Sequence, residues 1–228
     1  MRSKPRRFRL PDAVQRRRLE HLPRTAPGYP TTIRVETFSD GVISIIITIM
    51  VLSLKLPALP REFTREELSK AVHLLGPNLL AYALSFLIIA IFWINHHNFF
   101  HSLRTIDGKL VWINNLLLFW LSLVPLATAF LGGHPTQPAA LMVFGFLLMM
   151  AAACFPLMSY YTIYKGHLTH DDVSMDLRRQ TFRWSLPGFI LYLLAILVAP
   201  LSVWASWVIL LIAPIYYLLP HRDRTVRM

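Results

Sequence analysis

Long, nearly uninterrupted apolar runs dominate this chain, and segments of that length have few ways to satisfy their backbone. Ile33–Lys55 is 23 residues long, about 35 Å as a helix rising ~1.5 Å per residue, enough to cross ~30 Å of hydrocarbon. Further runs cover Pro77–Phe100, Leu110–Leu131 and Pro138–Tyr164, and the third closes on Gly132-Gly133-His134-Pro135. The last, Ser185–Leu219, exceeds one span, and Pro200 divides it into two short helices joined by a tight hairpin. Inside a bilayer only intrasegment hydrogen bonds or a closed barrel satisfy the backbone. The pattern therefore predicts an all-α integral membrane protein with six transmembrane helices per subunit.

Charge agrees with that class. Of the 228 residues 55% are hydrophobic and 15% charged, against roughly a quarter charged in soluble domains. The net charge is +11, and ten Lys or Arg fall between Arg2 and Arg34. A soluble domain with this balance would suggest nucleic acid. Beside a span, a basic segment is an orientation signal that can also touch anionic lipid, so no nucleic-acid partner is expected. With the N-terminus inside, the loops and tails carry nineteen Lys or Arg on that side and four outside. The expected arrangement is a multi-pass protein of the cell membrane with both termini cytoplasmic. Residues 1–32 read as a basic arm with a short helix near Asp12–Leu22 and no signal-peptide apolar region. Residues 33–219 form the six-span domain, and 220–228 a tail.

Two connecting segments have local signals. Thr64 followed by Glu67 is a capping-box pattern, predicting a short amphipathic helix over Arg65–Leu75 on the membrane surface. Lys165–Arg183 reads as a solvated loop with a helix starting at Asp171. Its KGHLTHDD segment groups His167, His170, Asp171 and Asp172, which suits a loop metal site or pH sensor, or simply a solvated loop with a helix cap.

The first span is unusual at its mouth. RVETFSDGVISIIITIMVLSLKLP, residues 34–57, sets Arg34, Glu36 and Asp40 before a branched aliphatic run. At about 100° per residue, Ile45, Ile49 and Leu52 share one face, flanked by Gly41 and Thr48, while Asp40 points about 140° away from Ile45. Two readings are open. The stripe can face lipid or core, with Asp40 an interfacial anchor. Alternatively it faces something other than lipid, and the acidic side is locked into the protein, since ionisable groups in spans usually face the bundle and pair. Arg34, His96, His97, His101, Trp112, Asn114 and Asn115 are the candidate partners, with one histidine bonded to Asp40 or Ser39.

His97 and His101, four apart on one face, could share a zinc or a haem iron, but no second ligand set accompanies them. No metal or other cofactor is expected. Cys154 is the only cysteine. With no nucleophile–base pairing and no Gly-rich phosphate loop, the sequence offers no enzyme chemistry.

The string Arg34-x-x-x-Phe38-Ser39-Asp40, continuing as GVISIIITIMVL, resembles the signature of the FSD-motif potassium channel family. That family includes the endolysosomal potassium channel of animals and many bacterial homologues. FWINHHNFF (Phe92–Phe100) and WINNLLLFWLSLVP (Trp112–Pro125) are similar to its second and third spans. The likeness covers about Arg34–Pro125; beyond it only span number and hydropathy match. The resemblance implies a potassium-permeable cation channel without a re-entrant selectivity-filter loop, and no TVGYG string is present. One six-span unit per chain implies a homotetramer in the lipid bilayer. The first helix of each subunit would line the pore, with Ile45, Ile49 and Leu52 as the constriction and Thr48 as the position linked to potassium preference. Arg34, Phe38, Ser39 and Asp40 would be structural, tied to His96, His97, His101, Trp112 and Asn115. Glu36, near the mouth, is a candidate source of cation preference. The competing readings are a secondary or proton-coupled transporter using Asp40 and the histidines as a relay, and a membrane redox protein with a His-ligated metal.

Overall fold

The structure, a computed structural model, describes residues 30–54 and 60–218. The basic arm, its expected helix at Asp12–Leu22 and the tail at 220–228 lie outside the described residues. Seven α-helices account for most of what is described: α1 Thr32–Ile49, α2 Arg65–His101, α3 Gly108–Ser122, α4 Val124–Gly133, α5 Pro138–Tyr164, α6 Met175–Val198 and α7 Val203–Leu218. The described residues contain no sheet, only an isolated bridge between Leu103 and Thr169.

Five segments are long and apolar enough to cross a membrane, α3 and α4 counting together as one; α7 is a shorter apolar helix of 16 residues. α5 sits at the centre. It packs most extensively on α6 and also on α3 and α4, while α2 lies along α4 and α7 along α6. Its buried positions, including Leu141, Phe144, Leu148 and Met158, cover about half of its circumference, and Met142, Val143, Phe146, Leu157 and Tyr160 stand exposed along the other side. That is the pattern of a helix with neighbours on a broad face and one side left open.

Several boundaries differ from the sequence expectation, each for a backbone reason. The expected surface helix Arg65–Leu75 is instead the start of α2, which continues through Pro77 for 37 residues. Proline removes one N–H but holds φ at a helical value. Asn78 Nδ2 donates to the Leu74 carbonyl at 3.1 Å, adding a side-chain bond at that turn. The N-terminus of α2 carries both halves of the capping box: Glu67 N–H donates to Thr64 Oγ1 at 3.2 Å and Thr64 N–H to Glu67 Oε2 at 2.8 Å. The third span is broken at Leu123, two residues before Pro125, where Leu123 N–H turns tightly to the Trp120 carbonyl at 3.3 Å. Helix α6 begins not at Asp171 but after Ser174, whose Oγ accepts from Leu177 N–H at 3.2 Å. Arg178, Arg179 and Arg183 stand on this helix, as a start at Asp171 would also have placed them. Pro200 lies in the turn between α6 and α7, as the sequence suggests. There Ser206 Oγ donates to the Ala195 carbonyl at 2.9 Å and ties the two helices together.

Close packing depends on one glycine in particular. A Cβ on Gly132 would sit 2.6 Å from Asn78 Oδ1 and 3.0 Å from Asn78 Cα, so α4 approaches α2 at a distance only glycine permits.

Candidate functional site

Helix α1 starts on Thr31, whose side chain accepts from Arg34 N–H at 3.3 Å. One face of it, Val35, Ser39, Ile43 and Ile46, is buried, and Met50 continues that line. It packs against α2 and α3. The opposite face is uncovered in the single chain. Ile45 is 59% exposed, Ile49 43% and Leu52 80%. Gly41, Ser44 and Thr48 share the uncovered side. A purely lipid-facing stripe has no use for hydroxyls one turn apart; small and hydroxylated residues mark helix faces that meet protein or water. Thr48 Oγ1 donates to the Ile45 carbonyl at 2.9 Å, which occupies its proton and turns its lone pairs outward. After Ile49 the helix tightens to a 3₁₀ turn over Met50–Ser53. With about three residues per turn there, Leu52 falls in line with Ile49 instead of drifting around the axis.

The polar side of α1 is fastened by two systems. Deep in the bundle, Asn114 Nδ2 donates to Ser39 Oγ at 2.9 Å, and Ser39 Oγ donates to the Val35 carbonyl at 2.8 Å. His96 Nε2 lies 2.9 Å from Asn114 Oδ1. Because Asn114 spends its amide on Ser39, its oxygen is the acceptor, so His96 carries its proton on Nε2. Ser39, His96 and Asn114 are all fully buried. His96 Nδ1 has no hydrogen-bond partner among the described residues. That atom is a bare acceptor, and moving the proton onto it would strand a buried donor and leave Asn114 Oδ1 facing a lone pair. Nearer the helix start, Asp40 Oδ1 accepts from Trp93 Nε1 at 2.9 Å, and His97 Nδ1 lies 3.0 Å from Glu36 Oε1. Glu36 and Asp40 are one turn apart on α1, and Trp93 and His97 one turn apart on antiparallel α2. The two bonds form successive rungs.

Of the expected partners, His96 and His97 are brought to this face, together with Asn114; Ser39 and Asp40 take them or their neighbours. Others are not. Trp112 is 75% exposed and Asn115 half-buried. On α3 they are rotated by about 200° and 100° from Asn114, the residue that faces α1. In the antiparallel register that pairs Glu36 with His97, His101 falls one turn beyond the acids. It contacts the His97 ring at 6.3 Å between centroids. Arg34 and Phe38 are exposed on the outer side. Asp40 bonds no histidine; its partner is Trp93, which the sequence reading missed. The matching four-residue spacing of the two acids and the two ring donors was the available signal. Among the described residues, no group of three or more His, Cys, Asp or Glu could hold a metal. In the loop, Asp171 is paired with Arg104 at 3.0 Å.

These features define a helical membrane protein in which one amphipathic span is clipped to its neighbours by its polar side and left open on its aliphatic side. Residues 34–125, which hold α1, α2, α3 and the two fastening systems, match the family model described as the endosomal/lysosomal potassium channel TMEM175. A potassium channel of Chamaesiphon minutus is 32% identical over 200 residues, covering 85% of this chain and 97% of its own length. A potassium channel of a Chryseobacterium species is 40% identical over 126 residues; the match takes in 55% of this chain and 62% of the relative. The crystal structure of a lysosomal potassium-selective TMEM175 homologue from Chamaesiphon minutus superposes with a TM-score of 0.69 at 29% identity, over 82% of this chain and 95% of that one. The chain belongs to the TMEM175 family, a family of ion channels and not of enzymes.

Proposed function

We propose that the protein is a potassium-permeable cation channel in which four copies surround a pore lined by α1, with both termini on the cytoplasmic side. The observation that carries this reading is the division of α1 into a face engaged with its own subunit and a face of Ile45, Thr48, Ile49 and Leu52 that none of the described residues covers. Ile45 to Ile49 rises about 6 Å along the helix, so the aliphatic residues would form stacked rings. Such rings cannot replace an ion's water by coordination. They close the path by dewetting, and widening them by a small movement of α1 restores a hydrated route. The outward lone pairs of Thr48, between the Ile45 and Ile49 layers, would offer oxygen ligands inside the aliphatic stretch, one turn from the Ser44 hydroxyl. Arg34 and Phe38 of the signature lie outside the subunit's own contacts and are free to meet a neighbouring copy.

A relay through Asp40 fits less well. Its carboxylate is bonded to Trp93 and lies on the side of α1 away from the stripe. The deciding experiment is planar-bilayer recording of purified protein under a potassium-against-sodium gradient, wild type beside Ile45→Asn. Unitary currents reversing toward the potassium potential, with larger conductance in the variant, are expected. Flux without unitary steps, or an Ile45→Asn variant that conducts like wild type, would sink the pore assignment.

A further inference from the structure

A cavity of about 230 Å³ opens between α2, α5 and α6 and reaches as far as α7. It is separate from the uncovered face of α1. Its inner wall is apolar, with Ile91, Phe155, Tyr192 and Pro214; its mouth is polar, with Asn98, Ser102 and Arg178. From Ile91 to Ser102, α2 rises about 16 Å, half of a ~30 Å hydrocarbon layer. The cavity therefore extends along α2 for about the depth of one leaflet. Its volume equals roughly eight waters, room for part of one hydrocarbon chain and not for two.

The mouth is basic and short of counter-charge. Arg178 is half-buried, and its Nε is buried without a hydrogen-bond partner among the described residues. Among the described residues, no carboxylate lines the cavity. An adjoining depression shares Gln180 and Trp184 with it and adds Arg179 and Arg183, against one acid, Asp176. The nearby Asp171 is taken by Arg104. A guanidinium with an unmet buried N–H calls for an oxyanion, and an apolar slot beneath it calls for a hydrocarbon tail. We propose that this cavity binds an anionic glycerophospholipid, its phosphate on Arg178 and one acyl chain between α2, α5 and α6. Basic pockets between spans select such headgroups. The assignment uses no feature of the pore and stands or falls apart from it.

The test is lipid retention. Full-length protein is reconstituted in nanodiscs holding equal phosphatidylglycerol and phosphatidylcholine with the same chains, re-extracted in detergent, and weighed by native mass spectrometry. Wild type should retain phosphatidylglycerol over phosphatidylcholine about fivefold. Arg178→Gln should equalise the two lipids and Arg178→Lys should restore the preference. Ser185→Phe, which fills the middle of the slot, should retain neither. Equal retention by wild type overturns the proposal without recourse to any variant, as does an Arg178→Gln protein that keeps the preference. If Ser185→Phe changes the subunit count while lipid retention stays at the wild-type level, the cavity is a contact between copies and not a lipid site.

Discussion

Asn114→Leu should expose how much of the bundle's cohesion passes through one amide. The substitution keeps the branched four-heavy-atom skeleton of the side chain while removing its polarity. Two cross-helix hydrogen bonds disappear, one to Ser39 and one from His96. Such bonds contribute about 0.6–1.7 kcal/mol each in a membrane bundle. His96 is then stranded. Neutral imidazole always carries one N–H, and Nδ1 already lacks a partner, so either tautomer leaves a buried donor unmet, at about 1–3 kcal/mol. Together these give about 3 kcal/mol, a fall of about 6–12 °C in the thermal midpoint of a protein this size. Intrinsic fluorescence of detergent-solubilised protein measures it. The second arm is His96→Phe on top of Asn114→Leu. It removes the stranded donor and keeps an aromatic ring on Phe100, which now stacks on His96 at 4.2 Å between centroids. The double variant should melt above the single one. If the single variant melts within about 2 °C of wild type, or the double variant falls below it, the buried chain from Ser39 to His96 does not hold α1 in place.

Thr48→Val removes the hydroxyl while keeping the side chain's shape. Reversal potentials should show potassium-over-sodium preference reduced about fivefold, the loss of roughly 1 kcal/mol of discrimination; an unchanged ratio would remove Thr48 from the selectivity account. Gly132→Ala drives a Cβ against Asn78 and should cost about 1–3 kcal/mol in a melting experiment. Gly133→Ala meets nothing within 4 Å and serves as the matched control, so equal melting of the two would contradict the close approach of α4 to α2. Trp93→Phe strips the donor from Asp40 and should lower the midpoint by about 2–4 °C, corresponding to about 1 kcal/mol, and Asp40→Leu should do no better.

The parts of this molecule that follow from local chemistry were legible in its sequence. The apolar runs located the spans, Thr64 and Glu67 announced the start of a helix, and the 100° wheel separated Asp40 from Ile45. What was lost depended on neighbours the wheel cannot see. Pro77 suggested a break between a surface helix and a span, yet the backbone continues because a proline forfeits only one bond. The helix expected from Asp171 begins four residues later, because the hydroxyl of Ser174 and not the aspartate caps it. Within the buried network, polarity nominated seven partners and register selected among them. Asn114 rather than Asn115 faces α1 because adjacent residues diverge by about 100°. Trp93 escaped notice because a tryptophan near a span end is read by default as an interfacial anchor, and nothing local reveals that its N–H meets a carboxylate on another helix.

The paired rungs from Glu36 to His97 and from Asp40 to Trp93 also limit how α1 can travel. A spin of α1 about its own axis would snap both at once, and a slide would put each acid opposite the wrong ring. Any displacement of the aliphatic stripe that leaves these bonds and the Ser39–Asn114 bond whole must carry α2 and α3 with it. The mobile unit is then a group of three helices, not a lone rod, and a load applied along the 37 residues of α2 has mechanical leverage on Ile45.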